Sequence, residues 1–371
     1  MAGKKKVTTK MIADYIGMSQ STVSMILSNK PYVSFSAETR EKVLKAAEEL
    51  GYQKKKKMIK DSDKVMGKTI MIICSLLSNH YYSMVIHSII QRAQEYGYTT
   101  FVAPTMRDAS IEENYLDMVS TMHLCGVIYL YPPAMVEKAN EISRLVPMVS
   151  IGDKAPDSRF DSVELDSKKP GFLIGDYLIE HGHTHVAYIS SPINEKEVGR
   201  MSRLTGLKNA FKEHGYPEEH VLLIKPDFKT YSSYNPNTSE YSNGYNLTLQ
   251  LLKDHTSVTA LVGNNDMTAL GIMGALKDHG YRIPQDYSVC GFDNIPLSSM
   301  PQISLTTIEH AAELKGHEAV DLIYRKNVAK KKAKESKYNY IMRLEYEPEL
   351  IVRNSSGKCR RKKRNRNYLD F

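Results

Sequence analysis

The sequence predicts a small all-helical unit at the N-terminus, followed by a two-lobed α/β core of doubly wound parallel sheets. Three observations lead there. Residues 7–52 carry apolar positions at helical spacing around a glycine-centred turn. From Lys68 short apolar runs alternate with amphipathic stretches, the rhythm of strand–helix–strand units. That alternation continues for about 290 residues, more than one such lobe holds.

In the core, Thr69 to Cys74 is a continuous apolar run suited to a buried parallel strand. Tyr82 to Tyr96 has helical spacing and stops at Gly97. Thr99 to Ala103 is the next strand, Ile111 to Met122 a helix, and Gly126 to Leu130 a strand. The rhythm recurs at Met148–Ile151, Val186–Ile189 and Ala260–Val262. Tyr231 to Asn237 is polar and broken by a proline, and reads as a surface loop. Lys326 to Lys337 reads as a Lys-rich exposed loop, and 357–371 as a basic, disordered tail.

Net charge is +8, unevenly spread. Residues 1–60 carry +8 and 357–371 carry +6, which leaves −6 on the rest. Basic clusters attract polyanions by counterion release, without sequence choice. No run of about 18 apolar residues suits a membrane span, and no apolar signal segment follows the basic start, so a cytoplasmic, nucleoid-associated protein is expected. Cys74, Cys125, Cys290 and Cys359 are scattered without a C-x-x-C pair and read as reduced small hydrophobes.

The first helix presents Ile12, Ala13 and Ile16 on one face, with Thr8 or Thr9 as its cap. Gly17 supplies the positive φ of a tight turn and Met18 packs in it. Ser19 caps a second helix whose buried face is Val23, Ile26 and Leu27. Small Ala13 lets the two helices approach, and Val23 fills their crossing. A third helix, Ala37 to Leu50, closes a small core through Val43, Leu44, Ala47 and Leu50. This is the spacing of a helix-turn-helix, and basic flanks on both sides point to double-stranded DNA.

Val7 to Tyr52 resembles the lactose/galactose repressor family. The resemblance is carried by Ile12-Ala13, Gly17-Met18-Ser19, Ser21-Thr22-Val23-Ser24, Leu27-Ser28-Asn29-Lys30, Tyr32-Val33-Ser34 and Thr39 to Tyr52. The body agrees in order at Leu178 to His183, Asn265 to Gly271, Ile283 to Val289, Gly291 to Asn294, Leu305 to Ile308 and Pro348 to Arg353. The resemblance implies a helix-turn-helix headpiece (1–53), a hinge (54–66) and a two-lobed periplasmic-binding-protein-like core (67–356). One lobe would span about 67–162 and 310–327, the other about 163–308 and 338–356. It implies a transcriptional regulator, most plainly a repressor, acting as a homodimer or tetramer on a pseudo-palindromic operator. A small effector, a sugar or sugar phosphate or in some members a purine, would bind between the lobes; no cofactor, metal or enzymatic activity is implied.

By the same resemblance, Gln20, Ser21 and Met25 face base edges, and Thr8, Ser19, Thr22, Ser24, Asn29, Lys30 and Tyr32 complete the DNA contacts. Gln pairs bidentately with adenine. Met25 stands where the family usually has Arg, so apolar contact, for instance with a thymine methyl, replaces a guanine contact. The hinge departs too. Where the family continues Tyr-x-Pro-Asn and a helix with a groove-wedging Leu, this chain has Gln53 and then Lys54, Lys55, Lys56 and Lys57, and the Leu position falls on Asp61. Met58 or Ile59 as wedge and a purely electrostatic lysine hinge are the two alternatives.

Ligands of two-lobed α/β cores bind at the carboxyl ends of strands. Sugars call for carboxylates, planar donors and an aromatic face. Tyr81 and Tyr82 follow the first strand, Asp153 follows Met148–Ile151, Asn265 and Asp266 follow Ala260–Val262, and Asp293 follows Val289–Phe292. Arg203 matches the family's ligand-binding Arg, and Tyr245 matches an aromatic pocket position. Purine-responsive members carry an Arg where this chain has Glu197, which favours a hydroxyl-rich sugar. Rival readings are weak. His181, His183 and His185 lack a nearby acid or thiol at metal-ligand spacing, Gly271 to Gly274 lies inside a helical pattern rather than after a strand, and a sugar-binding protein without a DNA role leaves the headpiece unexplained.

Overall fold

The computed structural model describes residues 7–28, 35–50, 52, 67–153, 157–193, 198–226, 239–253, 257–332 and 340–359. They fall into two compact units that divide after Asp63.

The N-terminal unit holds α1 (Thr9–Ile16), α2 (Gln20–Ser28) and α3 (Ala37–Glu49). Each starts on a hydroxyl cap. Thr8 accepts from Met11 N, Ser19 from Thr22 N and Ser36 from Thr39 N. Gly17, at φ 66°, ends α1 in the left-handed conformation that the turn needs. Ile12, Ala13, Val23, Ile26, Val43, Ala46 and Ala47 form the core, with Leu50 and Tyr52 packed on it. Leu44, expected inside, is 51% exposed. Val43, Ala46, Ala47 and Leu50 are spaced three and four apart on one face, and Leu44 lies about 100° round from Val43.

The C-terminal unit has two lobes. The first opens with β1 (Thr69–Cys74), α4 (His80–Glu95), β2 (Thr99–Pro104), α5 (Ala109–Thr121), β3 (Gly126–Tyr129), α6 (Val136–Ile142), β4 (Met148–Asp153) and β5 (Asp161–Leu165). The second lobe follows with α7 (Lys168–Glu180), β6 (Val186–Ile189), α8 (Val198–Glu213), β7 (Val221–Ile224), α9 (Ser239–Lys253), β8 (Ala260–Gly263), α10 (Asp266–Asp278), β9 (Ser288–Cys290) and β10 (Thr307–Glu309). The chain then returns through α11 (Ala312–Lys332), β11 (Arg343–Glu345) and β12 (Glu349–Ile351).

One sheet has the order β11-β5-β4-β3-β1-β2, the other β7-β6-β8-β9, and β10 pairs with β12. Both larger sheets are parallel throughout. β1 is buried at all six positions, as a central parallel strand should be, whereas β2 at the edge is mostly half-exposed or exposed. Apolar layers cover both faces of each sheet.

Three boundaries differ from expectation. β5 runs to Leu165 in the first sheet, and β11 pairs with it, so 343–345 belongs to the first lobe rather than the second. Only β12 returns to the second lobe. The Lys-rich segment begins as helix, because α11 continues to Lys332; there Lys326 Nζ lies 3.0 Å from Asp161 Oδ1. Finally, residues 357–359 are held in place. His183 Nε2 donates to Gly357 O at 2.9 Å, and Cys359 N to His181 O at 2.8 Å. The rest of the tail lies outside the described residues.

The histidine run is structural. His183 is buried between Thr259 and Gly357, and no group of three metal-ligating side chains occurs among the described residues. Cys74, Cys125 and Cys290 are buried and all four cysteines are free; burial pushes the Cys74 thiol up to about 11. No described helix is long and apolar enough to cross a membrane.

Candidate DNA-reading surface and effector cleft

On the N-terminal unit, Thr8, Ser19, Gln20, Ser21 and Ser24 are exposed, and Thr22 and Met25 are half-buried. They surround the start of α2, opposite the Val23–Ile26 face that packs inward. Ser19 Oγ is shared between Ser21 Oγ and Thr22 Oγ1, both at 2.8 Å, so it serves first as a cap. Gln20 Nε2 donates to Thr9 Oγ1 at 3.4 Å, which steadies its amide across the α1–α2 turn. Neither α1 nor α2 has an acid in its first turn, so both helix starts remain open to phosphate. Asn29, Lys30, Tyr32, Lys54 to Lys57 and Met58 lie outside the described residues.

In the C-terminal unit a cavity of about 140 Å³ opens between the lobes at the carboxyl ends of both sheets. Six of the seven predicted effector residues line it: Tyr81, Tyr82, Asp153, Arg203, Asn265 and Asp293. Tyr81 and Tyr82 start α4, whose cap Asn79 accepts from Tyr82 N at 3.1 Å. Asn79 also reaches across to the second lobe, donating to Glu240 Oε1 at 3.5 Å. Asp153 ends β4, and Asn265 caps α10 by accepting from Thr268 N.

Arg203 is set by backbone contact between helices. A Cβ on Gly171 of α7 would lie 2.0 Å from Arg203 O, and one on Gly206 would lie 1.9 Å from Lys168 O. Glycine at both positions lets α7 and α8 touch, and Arg203 projects from that crossing. Its Nη1 donates to Asn264 O at 2.6 Å, its Nη2 meets Asp293 Oδ1 at 3.4 Å, and the guanidinium stacks over Phe292 with 4.8 Å to the ring centroid.

Asp293 is buried with φ 114°, a backbone state that an L-residue rarely holds without support from its neighbours. Burial raises its carboxyl to about 6, against the opposing pull of Arg203. His310 Nε2 stands 3.5 Å from the same carboxylate, and burial pushes that imidazole well below its ordinary value, so it is neutral. Asp266 does not line the cavity. It accepts from Ile295 N, Ser298 Oγ and Thr307 Oγ1, tying the loop after β9 to α10.

Tyr245 is the exception among the predicted seven. Its hydroxyl donates to Asp278 Oδ2 at 3.0 Å at the far end of α10. The cause is again a glycine contact: a Cβ on Gly244 would lie 2.1 Å from Thr268 O, and this approach of α9 to α10 turns Tyr245 outward. Glu240, in the first turn of α9, reaches the cleft instead. Arg107, Tyr131, Ser167 and Arg200 are further lining residues that the sequence reading missed. The strand-end rule was enough to find Arg107 and Tyr131, which follow β2 and β3 by two or three residues.

Comparison with known proteins agrees with both units. Residues 8–55 match the family described as bacterial regulatory proteins, lacI family. Residues 176–356 match the periplasmic binding protein-like domain. Among curated relatives, the HTH-type transcriptional repressor PurR of Haemophilus influenzae strain PittEE is 29% identical over 351 residues, covering 94% of this chain and 98% of the relative. Among solved structures, a LacI family regulator from Enterococcus faecium with bound ribose aligns at TM-score 0.65 and 23% identity, covering 79% of this chain and 100% of that one. The CelR–cellobiose complex aligns at TM-score 0.64 and 23% identity over 95% of this chain and 100% of that one. By its helix-turn-helix unit and its two-lobed effector-binding core, the chain belongs to the lacI family of bacterial regulatory proteins and is a DNA-binding transcriptional regulator.

Proposed function

We propose that this regulator is a cytoplasmic repressor whose grip on its operator is set by a sugar or sugar phosphate held between the lobes. The observation that carries the reading is the lining of the cleft. Asp153, Asp293 and Asn265 offer planar acceptors and a donor, and Tyr82 and Tyr131 offer ring faces. This combination suits a ring studded with hydroxyls. It works by binding alone, as a homodimer or tetramer.

A thermal-shift screen of sugars, sugar phosphates and purines tests it. A ligand at 100 times its Kd adds about 2.7 kcal/mol to the stability of the state it binds, so a true effector should raise the melting temperature of the core by several degrees. A response confined to purines overturns the sugar reading.

The DNA reading assigns Gln20, Ser21 and Met25 to base edges. Met25→Arg restores a guanidinium suited to guanine, and a good bidentate pair discriminates by about 1–3 kcal/mol. Binding-site selection with the variant should therefore shift the preferred base to guanine at one symmetric operator position. An unchanged selected site would remove Met25 from the reading surface.

A further inference from the structure

The cleft holds more positive charge than a neutral sugar requires. Arg107, Arg200 and Arg203 line it. Lys315, in the first turn of α11, is wholly buried within electrostatic reach of both cavity aspartates, Asp153 and Asp293. Its Nζ has no hydrogen-bond partner among the described residues, and neither has Arg203 Nε or Ser167 Oγ. A desolvated ammonium left without a partner is costly, and a buried donor that lines a cleft is a demand for an acceptor.

Two helices begin at the same wall. Ser167 stands at the N-cap of α7 yet makes no capping bond. Val198 and Gly199, the first residues of α8, line the cavity. A Cβ on Gly199 would sit 3.6 Å from Ser167 Oγ, so the free hydroxyl and the helix start are neighbours. Neither helix has an acid in its first turn. Free N–H groups and two helix dipoles favour an anion there. The carboxylates nearby do not cancel this field in full: burial raises Glu240, and Asp293 sits at about 6.

Resting on the reading of the cleft as a sugar site, we infer that the effector is an acidic sugar. Its carboxylate or phosphate is held at the Ser167–Gly199 wall and neutralises Lys315. The ring hydroxyls then fall to Asp153, Asp293 and Asn265. The strongest mark of this assignment is Lys315, a cation that nothing else in the described structure pairs.

Calorimetric titration of the full chain tests it with matched probes: glucose and galactose, their uronates, their 6-phosphates, gluconate, and inorganic phosphate. One acidic sugar should bind at least 10-fold tighter than its neutral parent. Whether that is a uronate or a 6-phosphate separates the two sources of charge. Lys315→Met should erase the preference while leaving neutral-sugar affinity within about twofold. Ser167→Ala, which removes one buried oxygen, gives the same test should the lysine variant fail to fold. Equal affinity for a neutral parent, or an acidic preference that survives both variants, overturns the inference and leaves the sugar reading intact. Binding confined to acids without a sugar ring, for which citrate and a nucleoside monophosphate serve as probes, upholds the anion site and defeats the sugar reading. Silence across the whole set overturns both.

Discussion

Arg203→Met should destabilise the core by about 3 kcal/mol at neutral pH and weaken effector binding at least 100-fold. The guanidinium closes three contacts at once, with Asn264 O, the Asp293 carboxylate and the Phe292 ring. Methionine keeps much of the volume and none of the charge. Asp293 is then left buried with only neutral His310 beside it and Lys315 within electrostatic reach. The sign of the pH dependence follows. Burial already lifts Asp293 from 3.8 to about 6, so its contribution to stability is complete below the ordinary carboxylate value. That contribution is lost as pH rises through the folded value. Without Arg203 the folded value climbs further and the loss extends upward. The melting-temperature deficit of the variant should therefore be small at pH 5 and largest near pH 8, where it reaches several degrees. A deficit of equal size at both pH values would show that Asp293 is not its origin.

Much of this molecule is legible because its signals are local. Caps at Thr8, Ser19 and Ser36 and the turn at Gly17 fix the N-terminal helices within a few residues of each other. The apolar runs of β1, β3, β6 and β8 announce buried parallel strands, all fully buried in the structure. β5 escaped because it is buried yet polar. Asp161 accepts from Met342 N, and Glu164 pairs with Arg343, 179 residues further along. No local pattern reveals partners at that distance, and the same pairing puts β11 in the first lobe. The cleft was legible wherever a residue follows a strand directly, as with Tyr81, Asp153 and Asp293. It failed at α9, where a choice between Glu240 and Tyr245 depends on how Gly244 seats against α10. Lys315 was invisible for a related reason: in the sequence it is one lysine in an amphipathic helix start, and only packing shows it buried beside two aspartates.

Ile12→Ala should abolish operator binding and leave the effector cleft untouched. Ile12, Val23 and Val43 are wholly buried at the centre of a core of only seven buried apolar residues. Removing three buried carbons from such a site costs about 2–4 kcal/mol. Units of this size rarely hold more than about 3–5 kcal/mol in total, so most of the headpiece's stability goes with that side chain. Once α1 and α2 lose their crossing, Gln20, Ser21 and Met25 no longer share a rigid face. Basic residues in an unfolded segment still attract DNA without sequence choice, so non-specific binding at low salt should persist while specific affinity falls at least 100-fold. The core folds as a separate compact unit, and its melting temperature and sugar titration should match those of the parent. Leu44→Ala is the control. It deletes the same amount of hydrocarbon from a side chain that is 51% exposed, where substitutions cost about 0.5 kcal/mol or less. Fluorescence anisotropy on the selected operator, at matched salt, should separate the two variants by two orders of magnitude. An equal loss in both would mean that Leu44 faces DNA or a partner, and that burial within α3 does not govern the fold of the headpiece.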